Sequence, residues 1–159
     1  MISIRPAVPA DGPRLAALDR ATWSVESAVV PLWPADTDFF ERRSPDDVLV
    51  TEQGRGAVGY TTLGRPTPLE SNRHVLHVQG LAVDPTVQRQ GIGRGLIEAA
   101  VAEATRRGAR KLGLRVLDGN TGAQALYAAC GFEVEGVLRD EFRLGGRFVD
   151  DVLMARTLA

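Results

Sequence analysis

The sequence predicts an α/β or α+β protein built around a single sheet. Short β-prone runs alternate along the chain with two helical patterns, and this alternation is typical of a sheet that is covered by helices. The 159 residues, 44% of them hydrophobic and 25% charged, suffice for one core and leave no room for two. We therefore expect one domain over residues 1–159, in the order strand, helices, three strands, helix, strand, helix and two strands.

The first half of the chain is predicted to hold a strand, a helix and a pair of strands. Asp11 stands where a helix N-cap is favoured, and Pro13 is tolerated in a first helical turn. Leu15, Leu18 and Thr22 follow at the spacing of one helical face. The predicted strands are residues 3–5, 48–50 and 57–63, the last two joined across the turn Gly54-Arg55-Gly56.

The second half of the chain shows clearer patterns. Its helices are predicted over residues 91–107 and 121–129, and the shorter one stops at Gly131. Gly145-Gly146 suits a tight turn between antiparallel strands. The predicted strands are residues 75–83, 111–117, 133–144 and 148–157.

Composition excludes several classes of protein. Nineteen basic and twenty acidic residues give a formal charge of -1, so no overall field would attract nucleic acid or an anionic membrane. The N-terminus lacks the pattern of a secretory signal, and no run of about 18 apolar residues could span a bilayer. Cys130 is the only cysteine, and the two histidines form no ligand spacing. We expect a cytoplasmic protein without a metal ion.

A loop with two glycines has the features of a phosphate site. In Gln88-Arg89-Gln90-Gly91-Ile92-Gly93-Arg94 a predicted helix begins, and its free N–H groups and positive dipole end favour an anion. Gly91 and Gly93 have no Cβ to hold a pyrophosphate away from the backbone, while Arg89 and Arg94 add positive charge. Alternatively, the glycines only ease a tight turn from strand to helix.

Two familiar nucleotide loops do not fit this segment. A Walker loop has a Lys followed by Ser or Thr after its last glycine, whereas Gly93 is followed by Arg94-Gly95. A dinucleotide fold has its glycine loop after the first strand, and this loop lies mid-chain. The identity of the bound phosphate therefore depends on residues elsewhere in the sequence.

Two motifs resemble those of the GNAT family of N-acetyltransferases. Gln88, Gly91 and Gly93 match its pyrophosphate motif, which is Gln or Arg, two variable residues, Gly, one variable residue, then Gly or Ala. Residues 80–85 are similar to the end of the family's fourth strand. The resemblance covers about residues 75–154. The family pattern Asn-x-x-Ala-x-x-Leu-Tyr-x-x-x-Gly-Phe is also matched at every position, by Asn120, Ala123, Leu126, Tyr127, Gly131 and Phe132.

This resemblance implies a fold and a co-substrate. The expected architecture is the acyl-CoA N-acyltransferase fold, a mixed and mostly antiparallel sheet of about six to seven strands, with splayed fourth and fifth strands and about four helices. Acetyl-CoA would bind to residues 73–159, with its pyrophosphate on the loop 88–94. Its pantetheine arm would pair with the backbone of Leu81, Ala82 and Val83 as an added strand does. Residues 1–72 would form the acceptor side.

Acetyl transfer to an amine needs a proton donor and a proton acceptor. By resemblance, Tyr127 lies near the sulfur of coenzyme A as general acid or thiolate stabiliser, and Asn120 hydrogen-bonds coenzyme A while also starting a helix. Related enzymes carry a glutamate base where this chain has His77 or, in another group, Arg115. The base is therefore open, and the alternatives are His77, Glu26, Glu70 or a water molecule.

The irregular stretch 23–43 is where we expect the acceptor to be selected. Its aromatic residues would wall a pocket and its acidic residues would attract a cationic amine, or the aromatic residues only pack helices onto the sheet. The aromatic residues are Trp23, Trp33, Phe39 and Phe40, and the acidic ones are Asp36, Asp38 and Glu41.

The predicted function is transfer of an acetyl group from acetyl-CoA to a primary amine of a small molecule, peptide or protein, by direct attack in a ternary complex. One alternative is a catalytically silent acyl-CoA-binding sensor of the same fold. Another is a nucleotide-binding or structural domain unrelated to coenzyme A. The apolar hairpin 142–154 would suit a homodimer, although a monomer is equally compatible with the sequence.

Overall fold

A computed structural model describes residues 2–25, 27–54 and 56–158 and contains one seven-stranded sheet. The α-helices of the described residues are α1 Gly12–Thr22, α2 Ile92–Arg106 and α3 Thr121–Ala129. The strands are β1 Ser3–Pro6, β2 Val48–Glu52, β3 Ala57–Gly64, β4 Val75–Val83, β5 Lys111–Leu117, β6 Glu133–Leu144 and β7 Arg147–Thr157.

The strands lie in the order β1-β2-β3-β4-β5-β7-β6. Every neighbouring pair is antiparallel except β4 and β5, which run parallel because α2 connects them as a crossover. The predicted fold class and element order are thus confirmed. About four helices were predicted, and the described residues form three α-helices plus four short 3-10 turns, at Pro9–Asp11, Pro45–Asp47, Glu70–Asn72 and Pro85–Val87.

The parallel pair of strands opens after a short stretch of pairing. Only Val75–His77 of β4 pair with Lys111–Gly113 of β5, although both strands continue well beyond these residues. Gly113 permits the close approach at the last pair, because a Cβ there would lie 2.8 Å from Nε2 of His77. The splay predicted from the family resemblance is therefore present, and it begins at His77.

Helix α1 packs onto the sheet through the face predicted for it. Leu15 and Leu18 are fully buried, whereas Thr22 is only half-buried at the helix end. Asp11 stands at the N-cap position, but its side chain does not cap the helix. Its carboxylate instead accepts hydrogen bonds from Arg5 and, at 2.8 Å, from the N–H of Val8. The capping role predicted for Asp11 is therefore wrong, since the Arg5 guanidinium holds this carboxylate.

The long C-terminal hairpin turns at the predicted glycines. Gly145 and Gly146 have φ angles of 56° and 79°, the pair of positive values that a type I′ turn requires. Such a turn twists in the same sense as the strands it joins, so β6 and β7 continue as a long ribbon at the sheet edge.

Two apolar clusters fill the two sides of the molecule. One joins α2 and α3 to β5 and β7, with Ile97, Leu112 and Leu114 among its buried members. The other joins α1 to β2 and β3 and includes Tyr60 and Phe39. The division at residues 72 and 73 into an acceptor half and a coenzyme half, within one domain over 1–159, stays a prediction.

Candidate active site

A cavity of about 640 Å³ lies where β4 and β5 diverge, and we call it the splay cavity. Its walls come from β4, β5, α3 with its N-cap, the C-terminal hairpin and the loops before β2 and β4. Tyr127, Asn120 and His77, three residues singled out in the sequence, all line it. The remaining lining residues are Ser27, Val29, Pro66, Val78, Gln79, Arg115, Val116, Leu117, Phe142 and Asp151.

Tyr127 is the aromatic residue that α3 presents to the splay cavity. Its ring is buried and packs against Phe132, with 6.1 Å between ring centroids. Burial raises the pKa of the Tyr127 hydroxyl above its usual value, so this group is protonated at neutral pH and available as a donor. Proximity to the sulfur of coenzyme A stays a prediction.

His77 marks the point at which the parallel strands separate. It is half-buried, and desolvation together with the positive charges of Lys111 and Arg115 lowers its pKa. A lowered pKa keeps the imidazole neutral near pH 7, which is the form that accepts a proton. Arg115 is held on the same wall by ion pairs with Asp151 and, at 3.1 Å, with Glu141.

The predicted phosphate loop has the backbone of an anion site. Gly91 occupies the N-cap of α2 with φ of 79°, and no side chain caps the first turn. Arg89 also has a positive φ, 65°, which is uncommon for a residue with a side chain. The first N–H groups of α2 are thus left for a ligand.

Gly91, Arg94 and Gln88 of this loop have different surroundings. A Cβ on Gly91 would meet nothing within 4 Å, so open space faces this residue. Arg94 forms an ion pair at 3.0 Å with Glu98 along the helix surface. Gln88 donates from Nε2 to the carbonyl of Val83 at 3.3 Å and so ties the loop to the end of β4.

Gly93 joins the two family motifs in space. A Cβ at this position would lie 3.4 Å from Cδ2 of Leu126 on α3 and 4.0 Å from Cγ2 of Val83 on β4. The loop, the end of β4 and the helix bearing Tyr127 therefore meet at one point. Asn120 begins that helix, since its Oδ1 accepts the N–H of Ala123 at 3.2 Å. Its expected contact with coenzyme A stays a prediction.

The middle of β4 carries a bulge beside the cavity. Thr62 pairs with Gly80 and Leu63 with Val78, so Gln79 has no partner on β3. The buried Thr61 hydroxyl donates to the carbonyl of Gly80 at 2.9 Å and fixes the distorted backbone. Bulges often re-aim groups next to active sites. Leu81, Ala82 and Val83 follow directly, and none of them pairs with β5.

A second cavity, of about 380 Å³, lies between α1, the stretch 23–43 and β3, and we call it the acceptor pocket. Ser27 and Gln79 line both cavities, so the two adjoin at these residues. Trp23, Trp33 and Phe39 line it as the sequence predicted. Phe40 instead packs edge-on against Phe39, with 5.2 Å between centroids, and is a partly buried residue at the side of the core.

Asp19 and Tyr60 form the floor of the acceptor pocket, and neither was identified in the sequence. The Tyr60 hydroxyl donates to Oδ1 of Asp19. Burial raises the pKa of both groups, and the nearby charge of Arg43 opposes both shifts. A Cβ placed on Gly80 would lie 3.8 Å from the Tyr60 hydroxyl. Asp19 and Tyr60 therefore adjoin the bulge of β4.

The carboxylates that the sequence suggested as a base or as amine-binding groups lie in different places. Asp38 and Glu41 line the acceptor pocket, whereas Asp36 does not. Glu70 lines neither cavity and is an exposed residue paired with Arg73 at 3.0 Å. Glu26 lies outside the described residues. No group of three or more His, Cys, Asp or Glu within the described ranges could hold a metal ion.

Among residues 2–25, 27–54 and 56–158, every helix is too short or too polar to reach across a bilayer.

Comparison with known proteins identifies related enzymes. The phosphinothricin N-acetyltransferase of Alcaligenes faecalis is 35% identical over 139 residues, which is 77% of this chain and 70% of that protein. The ribosomal protein bS18-alanine N-acetyltransferase of Escherichia coli (strain K12) is 39% identical over 75 residues, 47% of this chain. That match spans about half the length of the relative, 51%.

Solved structures of similar shape cover the whole domain. The ribosomal-protein-alanine N-acetyltransferase from Brucella melitensis has a TM-score of 0.85 and 31% identity, over 98% of this chain and 99% of that one. The yncA protein of Salmonella typhimurium, solved with acetyl-CoA, has a TM-score of 0.87 over 100% of this chain and 95% of its own. At 21% identity, that second likeness shows the fold alone.

A family model described as the Acetyltransferase (GNAT) family matches residues 13–132, which include the acceptor pocket's floor, the splay cavity's β4 wall, the phosphate loop and all of α3. The family predicted from two motifs is thereby confirmed. This chain belongs to the GNAT acetyltransferase family.

Proposed function

We propose that this chain is an N-acetyltransferase that transfers an acetyl group from acetyl-CoA to a primary amine by direct attack in a ternary complex. The observation that carries the proposal is that the two cavities adjoin at Ser27 and Gln79, which line both. Tyr127 lies in one of them and the half-buried carboxylate of Asp19 in the other. A donor and an acceptor bound in adjoining cavities can react without a covalent enzyme intermediate.

The donor side fits acetyl-CoA in three respects. The backbone of β4 after His77 has no β5 partner, so it can pair with the pantetheine amides. The N-terminus of α2, with open space at Gly91, suits the pyrophosphate. Asn120 and Tyr127 line the cavity that opens beside this stretch of β4. When bound, acetyl-CoA supplies a thioester whose carbonyl carbon accepts the amine.

The residues of the chain then transfer the protons and stabilise the developing charge. The amine nitrogen forms a bond to the carbonyl carbon as the bond from that carbon to sulfur breaks. Tyr127 gives its hydroxyl proton to the departing thiolate, and its raised pKa keeps that proton available. A backbone N–H of residues 80–83 would polarise the carbonyl, and the bulge at Gln79 sets the direction of these groups.

His77 is the proposed base, acting directly or through a water molecule. It lines the same cavity as Tyr127, and its lowered pKa leaves it neutral at the pH at which it must accept the amine proton. Glu70 is unsuited to this role because it lines neither cavity. The acceptor is a small-molecule or peptide amine, since relatives act on phosphinothricin and on an alanine of a ribosomal protein.

A binding assay and a turnover assay test this function together. Acetyl-CoA should raise the melting temperature of the protein by mass action, whereas ATP and NAD should not. An amine panel monitored by release of free thiol should then show transfer. Stabilisation without transfer to any amine would indicate the silent acyl-CoA-binding sensor. Absence of stabilisation by acetyl-CoA would contradict coenzyme A binding altogether.

Self-association and a cytoplasmic location are proposed along with this activity. The C-terminal hairpin supports the first, because β6 forms the edge of the sheet and Val134, Val137 and Phe148 on the hairpin are exposed. Sedimentation of the wild type should give a dimer, and Phe148→Ser should shift it toward the monomer. A wild-type protein that sediments as a monomer at all concentrations would contradict the homodimer.

A further inference from the structure

The charges of the acceptor pocket are separated rather than paired. Among the described residues that line it are three arginines and three carboxylates, and none of these is joined by an ion pair within 4.0 Å. They are Arg20, Arg42, Arg43, Asp19, Asp38 and Glu41. Asp19 and Arg43 are half-buried, whereas the other four are exposed. Half-buried charges without an ion-pair partner are costly, so a ligand that supplies both signs would stabilise Asp19 and Arg43.

Arg43 presents a guanidinium that is held in place and has no carboxylate partner among the described residues. It stacks over the ring of Phe39, with 4.3 Å from its guanidinium carbon to the ring centroid. Stacking uses the flat face of the guanidinium, and one of its N–H groups faces the Tyr60 hydroxyl. The guanidinium carries five N–H donors, so others are left to bind a carboxylate with two hydrogen bonds. Arg20 differs, since its Nη1 donates to the carbonyl of Trp33 at 2.6 Å and so holds the loop.

Asp19 presents the opposite charge at the floor. Its Oδ1 accepts the Tyr60 hydroxyl, which leaves the second oxygen for an ammonium group. Asp38 and Glu41 are exposed, and Oδ1 of Asp38 already accepts the N–H of Phe40 at 2.9 Å. Asp19 is therefore the pocket carboxylate placed deepest and nearest to the bulged strand where the thioester would lie.

Asp19 and Arg43 are connected through two aromatic residues, because the Tyr60 hydroxyl donates to Asp19 and the Tyr60 ring lies 5.0 Å from the ring of Phe39, over which Arg43 stacks. The charge of Arg43 acts on both Asp19 and Tyr60, and no ion pair joins Asp19 to Arg43. We propose that the acceptor is a free α-amino acid, whose amine faces Asp19 and whose carboxylate faces Arg43. In an α-amino acid a single carbon separates the amine from the carboxylate. This short separation suits Asp19 and Arg43, which are neighbours in the pocket but form no ion pair.

A peptide N-terminus fits these charges less well. Its amine could face Asp19, but an amide replaces the carboxylate and Arg43 would remain without a partner. The pocket volume, about 380 Å³, is also within the range of small-molecule sites. This inference rests on the proposed acetyl transfer, and it names the substrate class of that same site.

Matched acceptor pairs test the proposal. Each common L-amino acid and its carboxamide would be compared by thiol release with acetyl-CoA. We expect at least one free amino acid to exceed its own carboxamide in kcat/KM by about tenfold or more, since a charge-assisted pair is lost in the amide. Arg43→Gln should remove that preference by lowering kcat/KM for the acid alone, and Arg43→Lys should restore part of it.

Control variants distinguish a loss of carboxylate recognition from a loss of folding or of acetyl transfer. Arg110→Gln, an exposed change outside both cavities, should leave the preference intact. Asp19→Asn should impair acid and amide alike, because both present an amine. In the presence of coenzyme A, the preferred acid should also raise the melting temperature of the wild type more than that of Arg43→Gln.

Four results would overturn the inference. Equal kcat/KM for acids and amides, or a peptide N-terminus preferred over every free amino acid, would contradict the substrate class and leave acetyl transfer standing. An equal loss for acid and amide in Arg43→Gln would contradict the role of Arg43. Failure of the wild type to acetylate any amine, despite binding acetyl-CoA, would instead contradict the proposed function and the inference with it.

Discussion

The proposed donor side and the proposed acceptor side of this molecule are built from different kinds of chemical group. On the donor side the loop 88–94, the unpaired stretch of β4 and the start of α3 present backbone groups. On the acceptor side the pocket is made of side chains from α1, the stretch 23–43 and β3. Backbone sites require glycines at fixed spacing, whereas side-chain sites can be rebuilt from many residue types. The first kind leaves a motif in the sequence and the second does not.

Replacement of Tyr127 should give the largest effect. The two tyrosines of the chain lie one on each side, so Tyr127→Phe and Tyr60→Phe form a matched pair. We expect Tyr127→Phe to lower kcat about 100-fold or more, because the thiolate loses its proton donor, with the KM for acetyl-CoA nearly unchanged. Tyr60→Phe should act chiefly on the KM for the acceptor. A Tyr127→Phe variant as fast as the wild type would contradict the acid assignment.

His77 lies where the two sides meet, and its replacement tests whether it is the base. If it is the base, kcat/KM should fall as the pH drops through the pKa of His77, which burial, Lys111 and Arg115 hold below 6.5 and Glu135 opposes. Protonation below that pKa removes the accepting lone pair. His77→Gln should lower the rate about tenfold or more and abolish this acidic limb. An unchanged limb in the variant would assign it to Asp19 or to the amine.

Gly91 tests the backbone character of the donor side. Gly91→Ala should weaken acetyl-CoA binding by about tenfold, because a φ of 79° strains a residue with a Cβ by about 1–2 kcal/mol and the loop would relax. The dissociation constant can be followed by calorimetry. Gly136→Ala is the control, since that glycine has no positive φ and no neighbour within 4 Å of a Cβ. Equal binding by both variants would show that loop conformation does not control affinity.

Replacement of Asn120 should give the smallest effect. It should also distinguish the two predicted roles of this residue, which are to cap α3 and to bind coenzyme A. Asn120→Ala removes the cap of α3 and should lower the free energy of unfolding by about 1 kcal/mol. Asn120→Asp keeps a capping oxygen and should restore stability. If acetyl-CoA binding recovers together with stability in Asn120→Asp, the residue acts through the cap. If binding stays weak, the amide itself contacts coenzyme A, as the family resemblance implies.

Much of the fold could be predicted because its signals are local. The bounds of β4, β5, α3 and β6 follow from alternation or helical spacing between glycines, and the structure has them at the predicted residues. Asp11 shows the limit of such signals. Its cap position was correctly placed, but Arg5 on the neighbouring strand captures its side chain.

The floor of the acceptor pocket could not be predicted, since its contacts join distant parts of the chain. Asp19 and Tyr60 are 41 residues apart, and only the packing of α1 on β3 brings them together. The bulge at Gln79 arises from the register between β3 and β4, which the sequence of β4 alone does not reveal. An acidic residue beside the buried face of α1 was the one available signal, and it is shared by many solvated helix positions.

The measurement that tests the account most directly is amine-dependent release of free thiol from acetyl-CoA, with wild type and Tyr127→Phe assayed side by side on free amino acids and other primary amines. The account predicts that thiol release by the wild type requires an amine, yields the N-acetylated amine in equal amount, and falls about 100-fold in Tyr127→Phe. A wild type that binds acetyl-CoA but releases no thiol with any amine would contradict it.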